Sequence, residues 1–155
     1  MMTSLSSDVI KILCGKTLAT AESCTGGGIG AALTGVPGSS AVYKGGIVSY
    51  TNWVKEKLLR VPAEMLDQQG AVSGPVAQAM AEGARKVLQA DIAVSVTGLA
   101  GPGGDEYGNP VGTVFIGYAD VTKSYAREFH FAGDREAVRN QAICTALQMI
   151  LEENK

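Results

Sequence analysis

The sequence predicts an α/β protein of three layers (α/β/α), in which helices cover both faces of a mixed five-stranded sheet. Over the first hundred residues, strand-like apolar runs alternate with segments whose apolar residues recur at helical spacing, as in parallel strands joined by crossover helices. After residue 110, two strand-like runs are separated by a short link, which indicates a hairpin. With 155 residues, 46% hydrophobic and 18% charged, the chain can form one globular domain, residues 1–155, with a buried core.

The individual elements follow from periodicity and from turn residues. Asn52, Ser73 and Asp134 stand where the helices after them need a cap. Gly45 and Gly46, in the middle of the second strand, indicate a bulge or a close backbone approach. In chain order we expect a helix over residues 4–14, a strand over 16–22, a helix ending near 33, a strand over 41–50, helices over 52–59, 62–70 and 73–90, strands over 91–97, 111–119 and 124–131, and a helix that begins at 133–135.

The connections between strands predict where their ends lie. The first three strands are joined through helices and should be parallel, the fourth should be antiparallel to the others, and the hairpin makes the fifth parallel to the first three. Four strands then end at one edge of the sheet, which is where α/β proteins bind ligands. The stretches expected to meet there are Ser23 with Cys24, residues 50–55, Thr97 with the Gly-rich loop 98–110, and residues 133–135.

The Gly-rich turn over residues 21–28 contains two candidate nucleophiles, Ser23 and Cys24. A turn that leads from a strand into a helix points several backbone N–H groups at one spot, which can serve as an oxyanion hole. Gly26 and Gly27 are the expected contributors. A helix cap followed by glycines needed for close packing is the competing explanation of the same pattern.

Lys55 is the candidate general base. The only histidine, His130, lies in an alternating strand-like run and is better explained as an ordinary strand residue than as a member of a Ser-His-Asp triad. Lys55 should lie near the beginning of a helix, where the helix dipole opposes its positive charge, and burial would lower its pKa further. A neutral amine there can take the serine proton. An ordinary solvated lysine is the alternative.

Four more side chains are expected at the same edge. Tyr50 can tune or relay to the lysine, and the Thr97 hydroxyl must find a partner at the end of an apolar strand. Arg135 and Arg139 lie one turn apart on one face of the last helix and can hold a phosphate together with free backbone N–H groups. Packing, turn capping and solvated ion pairs are the respective alternatives.

Composition excludes several classes of protein. A net charge of −2 and a pI near 5.4 argue against a non-specific nucleic-acid binder. Three widely spaced cysteines and one histidine argue against a Cys/His zinc site. No apolar run approaches the roughly 20 residues of a membrane span, and the N-terminal residues lack the basic region of a signal peptide. We therefore expect a cytoplasmic protein that contacts neither nucleic acid nor membrane.

Seven blocks of sequence, found in the family's order between about residues 20 and 140, resemble the C-terminal domain of the competence/damage-inducible protein CinA. They are Ala21-Glu22-Ser23-Cys24-Thr25-Gly26-Gly27, Pro37-Gly38-Ser39-Ser40, Ser49-Tyr50-Thr51-Asn52 with Lys55, Gly70-Ala71-Val72-Ser73, Thr97-Gly98-Leu99-Ala100-Gly101-Pro102, Pro110-Val111-Gly112-Thr113-Val114 and Gly133-Asp134-Arg135.

The resemblance implies a serine amidase without metal or cofactor, in a three-layer fold that often forms homo-oligomers. Stand-alone members look like nicotinamide-nucleotide amidases, which convert nicotinamide mononucleotide to nicotinate mononucleotide and ammonia and so recycle the pyridine nucleotide. The roles carried over are nucleophile for Ser23, base for Lys55, supporting hydroxyls for Tyr50 and Thr97, phosphate binding for Arg135 in preference to Arg139, and substrate binding for Thr25, Gly26, Gly27, Ser39 and Gly98.

The chain departs from the family pattern at two points. Trp53-Val54 replaces the small or polar residues usual before the lysine, and we expect the larger N-terminal domain of full-length members, with any activity it houses, to be absent. Two other hypotheses stay open. Cys24 is the nucleophile in one, although it should point inward at the start of the helix. In the other, the chain is a non-catalytic module that holds a nucleotide phosphate.

Overall fold

A computed structural model describes residues 2–155. One sheet of five strands runs in the order β2-β1-β3-β4-β5. β1 pairs in parallel with β2 and β3, whereas β4 is antiparallel to both of its neighbours. The predicted mixed sheet with an antiparallel fourth strand is therefore confirmed. The strands are β1 (Leu18–Glu22), β2 (Tyr43–Val48), β3 (Ile92–Gly98), β4 (Thr113–Ala119) and β5 (Ser124–His130).

Helices cover both faces of this sheet, as predicted. The helices are α1 (Met2–Ile12), α2 (Gly28–Thr34), α3 (Asn52–Lys57), α4 (Ala63–Gln69), α5 (Gly74–Val87) and α6 (Arg135–Glu153), with a short 3₁₀ helix at Ser39–Ala41. On one face, α1, α2 and α6 bury their apolar sides against the bulky residues of β1, β3 and β4. On the other face, α4 and α5 pack with Leu59 and Val61 against the alanines of β1 and β3.

Small residues let α5 approach the sheet closely. Ser95 in β3 donates a hydrogen bond to the carbonyl of Ala77 at 2.6 Å. A Cβ on Gly117 in β4 would lie 2.2 Å from the same carbonyl oxygen. At the other end of α5, a Cβ on Gly83 would lie 2.0 Å from the carbonyl oxygen of Leu59. The Gly83 contact places α5 against Leu59, which belongs to the segment that follows α3.

The edge strand β2 is shorter than predicted and contains the expected irregularity. Residues 39–41 form the 3₁₀ helix, and Ser49 and Tyr50 follow the strand instead of lying in it. The register against β1 shifts between Leu18 and Ala19. A Cβ on Gly46 would lie 2.2 Å from Thr20 Oγ1, so the predicted close approach is confirmed at Gly46, whereas a Cβ on Gly45 would have no atom within 4 Å.

Helix caps differ from the prediction in one place that concerns the candidate base. Thr51, with φ −104° and ψ 160°, caps α3, and its side chain accepts a hydrogen bond from the Val54 N–H. Asn52 is the first helical residue, so the prediction of an Asn52 cap was wrong by one position. Asp134 caps α6 as predicted and accepts from the Ala137 N–H at 2.9 Å. Among residues 2–155, no helix has the length and apolar character needed to cross a bilayer.

Candidate active site

A pocket of about 280 Å³ lies at the sheet edge where β1, β2 and β3 end. The four stretches predicted to meet do meet there. The pocket is lined by Ser23, Cys24, Tyr50, Asn52, Lys55, Ala71, Val72, Thr97, Gly98, Leu99, Ala100, Gly101, Gly103 and Arg135.

Ser23 and Lys55 form the centre of the pocket. Lys55 Nζ donates to Ser23 Oγ at 2.9 Å, to the carbonyl of Ser49 at 2.7 Å and to that of Tyr50 at 3.4 Å. Lys55 is 1% exposed and Ser23 is 7% exposed. No carboxylate within residues 2–155 pairs with the ammonium, so its charge is compensated only by neutral oxygens.

Burial lowers the pKa of Lys55 to about 8, while the neighbouring Cys24 acts in the opposite direction. The cause is desolvation, which disfavours the charged form of an amine. An amine with this pKa is partly neutral near neutral pH. A neutral amine has a lone pair that can accept the hydroxyl proton of Ser23, which is what a general base requires.

Backbone hydrogen bonds hold the lysine in place. Thr51 caps α3 shortly after the end of β2 at Val48, so that Lys55 lies one turn into the helix. The Ser49 N–H donates to the carbonyl of Glu22 at 2.7 Å, and the Val61 N–H donates to the carbonyl of Lys55 at 3.0 Å. The end of β2 is thereby fixed to the end of β1, which carries Ser23.

The turn that begins at the candidate nucleophile Ser23, residues 23–27, is the nucleophile turn. Glu22, which is 2% exposed, lies directly before it. Its carboxylate accepts hydrogen bonds from Thr25 Oγ1 at 2.7 Å, the Ile29 N–H at 2.8 Å and the Gly30 N–H at 3.0 Å. The N-terminus of α2, where a negative charge is favoured, is thus occupied by the protein's own carboxylate.

Sequence reasoning missed this role of Glu22. The expectation that the N-terminus of α2 points its N–H groups at a ligand is wrong for Ile29 and Gly30, because Glu22 uses both. A signal was present, since Glu22 is the only charged residue of the buried strand β1 and precedes a helix start. A buried carboxylate needs donors, and a helix N-terminus supplies them.

The two glycines of the nucleophile turn have different roles. The Gly26 N–H donates to the carbonyl of Ser23 at 3.0 Å, so its predicted part in an oxyanion hole is excluded in this conformation. Gly26 and Gly27 have φ values of 58° and 98°, the left-handed region that favours glycine. The N–H groups of Cys24, Thr25 and Gly27 have no oxygen acceptor within residues 2–155.

Arg135 and Arg139 make different contacts although both were expected at a phosphate. Arg135 lies at the rim of the pocket, where Nη1 donates to the carbonyl of Gly101 at 2.6 Å and Nη2 to the hydroxyl of Tyr50 at 3.3 Å. Arg139 donates from Nε to the carbonyl of Cys24 at 3.0 Å and from Nη2 to that of Thr25 at 3.2 Å. Arg139 therefore binds the backbone of the nucleophile turn and does not line the pocket.

The supporting hydroxyls are in the pocket but are bound differently from the prediction. The Tyr50 hydroxyl accepts from Arg135, and only the Tyr50 carbonyl contacts Lys55, so the expected hydroxyl relay to the lysine is not formed. Thr97 Oγ1 donates to the carbonyl of Ala71 at 2.8 Å and keeps its lone pairs as acceptors.

Gly98 and Ser39 complete the set of predicted residues. Gly98 lines the pocket, and a Cβ there would lie 2.7 Å from Val114 Cγ2 and 2.9 Å from the carbonyl oxygen of Thr113. Ser39 lies in the 3₁₀ helix at the amino end of β2, at the opposite edge of the sheet. The structure of the single chain does not bring Ser39 to the pocket, because β2 separates the two.

Cys24 packs in the core with its side chain 6% exposed. Burial raises the pKa of its thiol to about 11, against the opposing effects of its own backbone N–H, Arg139, Lys55 and Arg135. A thiol with this pKa is protonated at neutral pH, and the thiolate is the nucleophilic form. The environment of Cys24 therefore favours Ser23 as the nucleophile.

A second and larger groove, of about 620 Å³, lies between α4 and the C-terminal half of α5. It is lined by Leu59, Arg60, Pro62, Met65, Ala79, Glu82, Gly83, Lys86, Val87 and Gln89. This groove contains no serine, cysteine or threonine. The smaller pocket is the candidate active site because the buried Ser23 and Lys55 meet there.

Comparison with known proteins identifies relatives of this chain. The sequence profile of the CinA C-terminal domain matches residues 2–154. CinA-like proteins from Parasynechococcus marenigrum (strain WH8102) and Geobacter sulfurreducens are 50% and 49% identical over 151 and 136 residues. These alignments cover 95% and 88% of this chain but 36% and 33% of the relatives. The chain thus spans about a third of the length of the curated relatives it matches.

Solved structures of relatives have similar length and the same fold. A competence-damaged protein (CinA) superfamily protein from Klebsiella pneumoniae 700603 is 37% identical with a TM-score of 0.96, and the match covers 99% of this chain and 97% of that one. The competence/damage inducible protein CihA from Agrobacterium tumefaciens is 39% identical with a TM-score of 0.96, covering 99% and 96%. Profile, sequences and structures agree that the chain belongs to the CinA C-terminal domain family.

Proposed function

We propose that this chain is a serine amidase that hydrolyses the carboxamide of nicotinamide mononucleotide to nicotinate mononucleotide and ammonia. The observation that carries the proposal is the contact of Lys55 Nζ with Ser23 Oγ at 2.9 Å in a buried pocket. Membership of the CinA C-terminal domain family supports the substrate class, because stand-alone members resemble nicotinamide-nucleotide amidases. The activities of the much longer relatives are not carried over.

The arrangement around Lys55 suits a neutral amine. The carbonyls of Ser49 and Tyr50 can only accept, so they take two N–H bonds from the nitrogen. The third direction, toward Ser23 Oγ, is then left to the lone pair. In that state the serine hydroxyl donates to the lysine, and attack on a carbonyl carbon transfers this proton to Nζ.

The reaction then follows the usual course of acyl transfer. Ser23 Oγ forms a bond to the carboxamide carbon, and the carbonyl oxygen becomes an oxyanion. Lys55 returns the proton to the amide nitrogen, and the C–N bond breaks. Ammonia departs, and the acyl group remains bound to Ser23 as an ester. Water attacks this ester with Lys55 again as base, which releases the carboxylate and restores the serine hydroxyl.

Arg135 is the proposed anchor for the substrate phosphate. Its guanidinium lies at the rim of the pocket, and within residues 2–155 it contacts only neutral oxygens, those of Gly101 and Tyr50. A guanidinium without a carboxylate partner can take up a phosphate through two parallel N–H bonds. The Tyr50 hydroxyl would orient the arginine, and Thr97 would accept from the substrate amide.

The proposed homo-oligomer and cytoplasmic location are parts of the same hypothesis. Val48 at the end of β2, Tyr50 in the link that follows it and Trp53 in α3 have exposed fractions of 51%, 59% and 63% and lie beside the pocket. Such an apolar cluster is typical of an interaction surface. Light scattering of the purified chain measures its mass in solution, and a monomer at all concentrations contradicts this part.

The central test is ammonia release from nicotinamide mononucleotide, with nicotinate mononucleotide as the substrate control. Ser23→Ala and Lys55→Met should each lower kcat by about a thousandfold or more. Lys57→Met, on an exposed lysine two residues away, is the matched control for Lys55→Met. Loss of activity in Cys24→Ala together with full activity in Ser23→Ala would favour the thiol as nucleophile. Tight mononucleotide binding without turnover would favour a non-catalytic module.

A further inference from the structure

We propose that Arg139 is a positioning residue that orients the nucleophile turn, and that the backbone N–H groups of Cys24 and Thr25 form the oxyanion site. The inference rests on the proposed function in one respect, the role of Ser23 as nucleophile. It assigns to Arg139 a role in the chemical step in place of phosphate binding.

Arg139 is connected to the Thr25 N–H through one peptide group. Arg139 Nε donates to the carbonyl of Cys24 at 3.0 Å. That carbonyl and the Thr25 N–H belong to one planar trans peptide group, in which they point in opposite directions. The guanidinium therefore turns the Thr25 N–H away from itself, and no acceptor within residues 2–155 takes that N–H.

Arg139 is connected to the Cys24 N–H through two peptide groups and the hydrogen bond between them. Arg139 Nη2 donates to the carbonyl of Thr25 at 3.2 Å, and the N–H of the same peptide group is that of Gly26. The Gly26 N–H donates to the carbonyl of Ser23 at 3.0 Å. The peptide group of that carbonyl ends in the Cys24 N–H, which has no oxygen acceptor in the described chain either.

The N–H groups of Cys24 and Thr25 thus belong to peptide groups whose carbonyls are bound to one guanidinium, directly for the Cys24 carbonyl and through the Gly26 peptide group for the Ser23 carbonyl. A cation at a carbonyl oxygen polarises the peptide group and makes its N–H a stronger donor. The strengthening is about 10–30% for each hydrogen bond of a chain. Preorganised donors next to the nucleophile are what an oxyanion needs. The N–H of the residue after the nucleophile has this role in the strand–turn–helix site of α/β-hydrolases as well.

Glu22 also binds the nucleophile turn. Its carboxylate binds Thr25 Oγ1 and the N–H groups of Ile29 and Gly30, so it removes the N-terminus of α2 from the oxyanion site. Arg139 donates to two carbonyls of the turn. Glu22 accepts from the Thr25 hydroxyl and from the first N–H groups of α2. The groups left over in the first two residues after Ser23 are the N–H groups of Cys24 and Thr25.

The hydrogen bonds of Arg139 all go to the backbone of the nucleophile turn. Within residues 2–155, its guanidinium forms no ion pair, and its contacts are the carbonyls of Cys24 and Thr25. Arg127, in contrast, pairs with Glu152 at 3.5 Å on the surface. Both hydrogen bonds of Arg139 are therefore directed at the nucleophile turn.

The experiment compares Arg139→Met and Arg139→Lys with Arg135→Met and the surface control Arg127→Met. Each is assayed on nicotinamide mononucleotide and on nicotinamide riboside, which lacks the phosphate. Arg139→Met should lower kcat by about a hundredfold, the loss typical of one oxyanion donor, with little change in KM and by the same factor on both substrates. Arg139→Lys should recover part of the rate, because an ammonium can bind one of the two carbonyls.

Comparison of the mononucleotide with the riboside shows which of the two arginines binds the phosphate. Arg135→Met should lower kcat/KM for the mononucleotide more than for the riboside, whereas Arg127→Met should match the unmodified chain. If Arg139→Met affects only the mononucleotide, mainly through KM, then Arg139 binds the phosphate and the inference is overturned. Circular dichroism at the assay temperature establishes that each variant is folded, and Arg139→Lys carries the comparison if Arg139→Met is not.

A fluorophosphonate probe tests the inference without an amide substrate, because its reaction with a serine also passes through an oxyanion-like state. The labelling rate of Ser23 should fall in Arg139→Met by a factor similar to that of kcat. If the unmodified chain is labelled at Ser23 but hydrolyses no nicotinamide mononucleotide, the substrate assignment fails while the labelling rates still decide the role of Arg139. Unchanged labelling in Arg139→Met overturns the inference, and no labelling of the unmodified chain overturns both.

Discussion

Replacing the buried lysine should stabilise the protein while it abolishes activity. The fall of the Lys55 pKa from 10.5 to about 8 means that the folded state disfavours the ammonium relative to the unfolded chain. At about 1.4 kcal/mol per tenfold change in proton affinity, the penalty at neutral pH is roughly 3 kcal/mol. Lys55→Met removes it, but leaves the buried carbonyl of Ser49 without its donor, at a cost of about 1 kcal/mol. We expect a net gain of about 2 kcal/mol in the free energy of unfolding at pH 7.

The stability difference between the variant and the unmodified protein should change sign with pH. Below pH 8 the lysine is charged in both the folded and the unfolded state, and the penalty is complete. As the pH rises from 8 to 10.5, the folded state loses its proton first, so the unfolded state binds more protons and the stability of the unmodified protein increases. Above 10.5 the penalty is gone, and the variant should be the less stable protein by about 1 kcal/mol.

Urea denaturation of both proteins, followed by circular dichroism between pH 7 and 10.5, measures the difference. The two stability curves should cross within this range, and Lys57→Met should follow the unmodified protein because Lys57 is exposed. A variant that is less stable than the unmodified protein at pH 7, with an unchanged m-value, would refute the reasoning. It would mean that the hydrogen bonds of Lys55 outweigh the cost of its buried charge.

Three further outcomes follow from the site. The value of kcat/KM should rise about tenfold per pH unit below pH 8 and level off above it, because the base is the neutral form of Lys55; a flat profile from pH 6 to 9 would contradict this role. Glu22→Gln should lower the free energy of unfolding by about 2 kcal/mol, since an amide loses the charge that binds Thr25 and the α2 N-terminus, as denaturant midpoints will report; an unchanged midpoint would show that the charge is dispensable. Iodoacetamide at pH 7 should alkylate the exposed Cys14 and leave activity intact, because burial keeps the pKa of Cys24 at about 11; inactivation that tracks modification of Cys24 by mass spectrometry would contradict it.

The sheet could be predicted because its determinants are local. Crossover helices between the first three strands and the missing helix before β4 fix the strand directions, and these bring Ser23, Lys55 and Thr97 to one edge. The helix cap at Thr51 was missed because Thr51 and Asn52 are both good capping residues, and only the backbone angles of the folded chain distinguish them.

The partners of the charged residues could not be predicted in the same way. Arg135 and Arg139 lie on the same face of α6 about 6 Å apart along its axis, and this rise sends one to the rim and the other to the nucleophile turn. Glu22 could be recognised as a buried acid, but its donors lie seven and eight residues further on, in a helix whose approach depends on packing against the sheet. Tertiary geometry assigns these partners.

The carboxylate at the N-terminus of α2 has a consequence for the protein in a cell, where free phosphate and other small anions are always present. An open helix N-terminus next to the nucleophile would collect such anions and compete with the substrate. Because Glu22 is tethered to the turn, its effective concentration is far above that of any dissolved anion. The protein thereby carries a permanent occupant of that position, and the N–H groups of Ile29 and Gly30 are closed to dissolved anions.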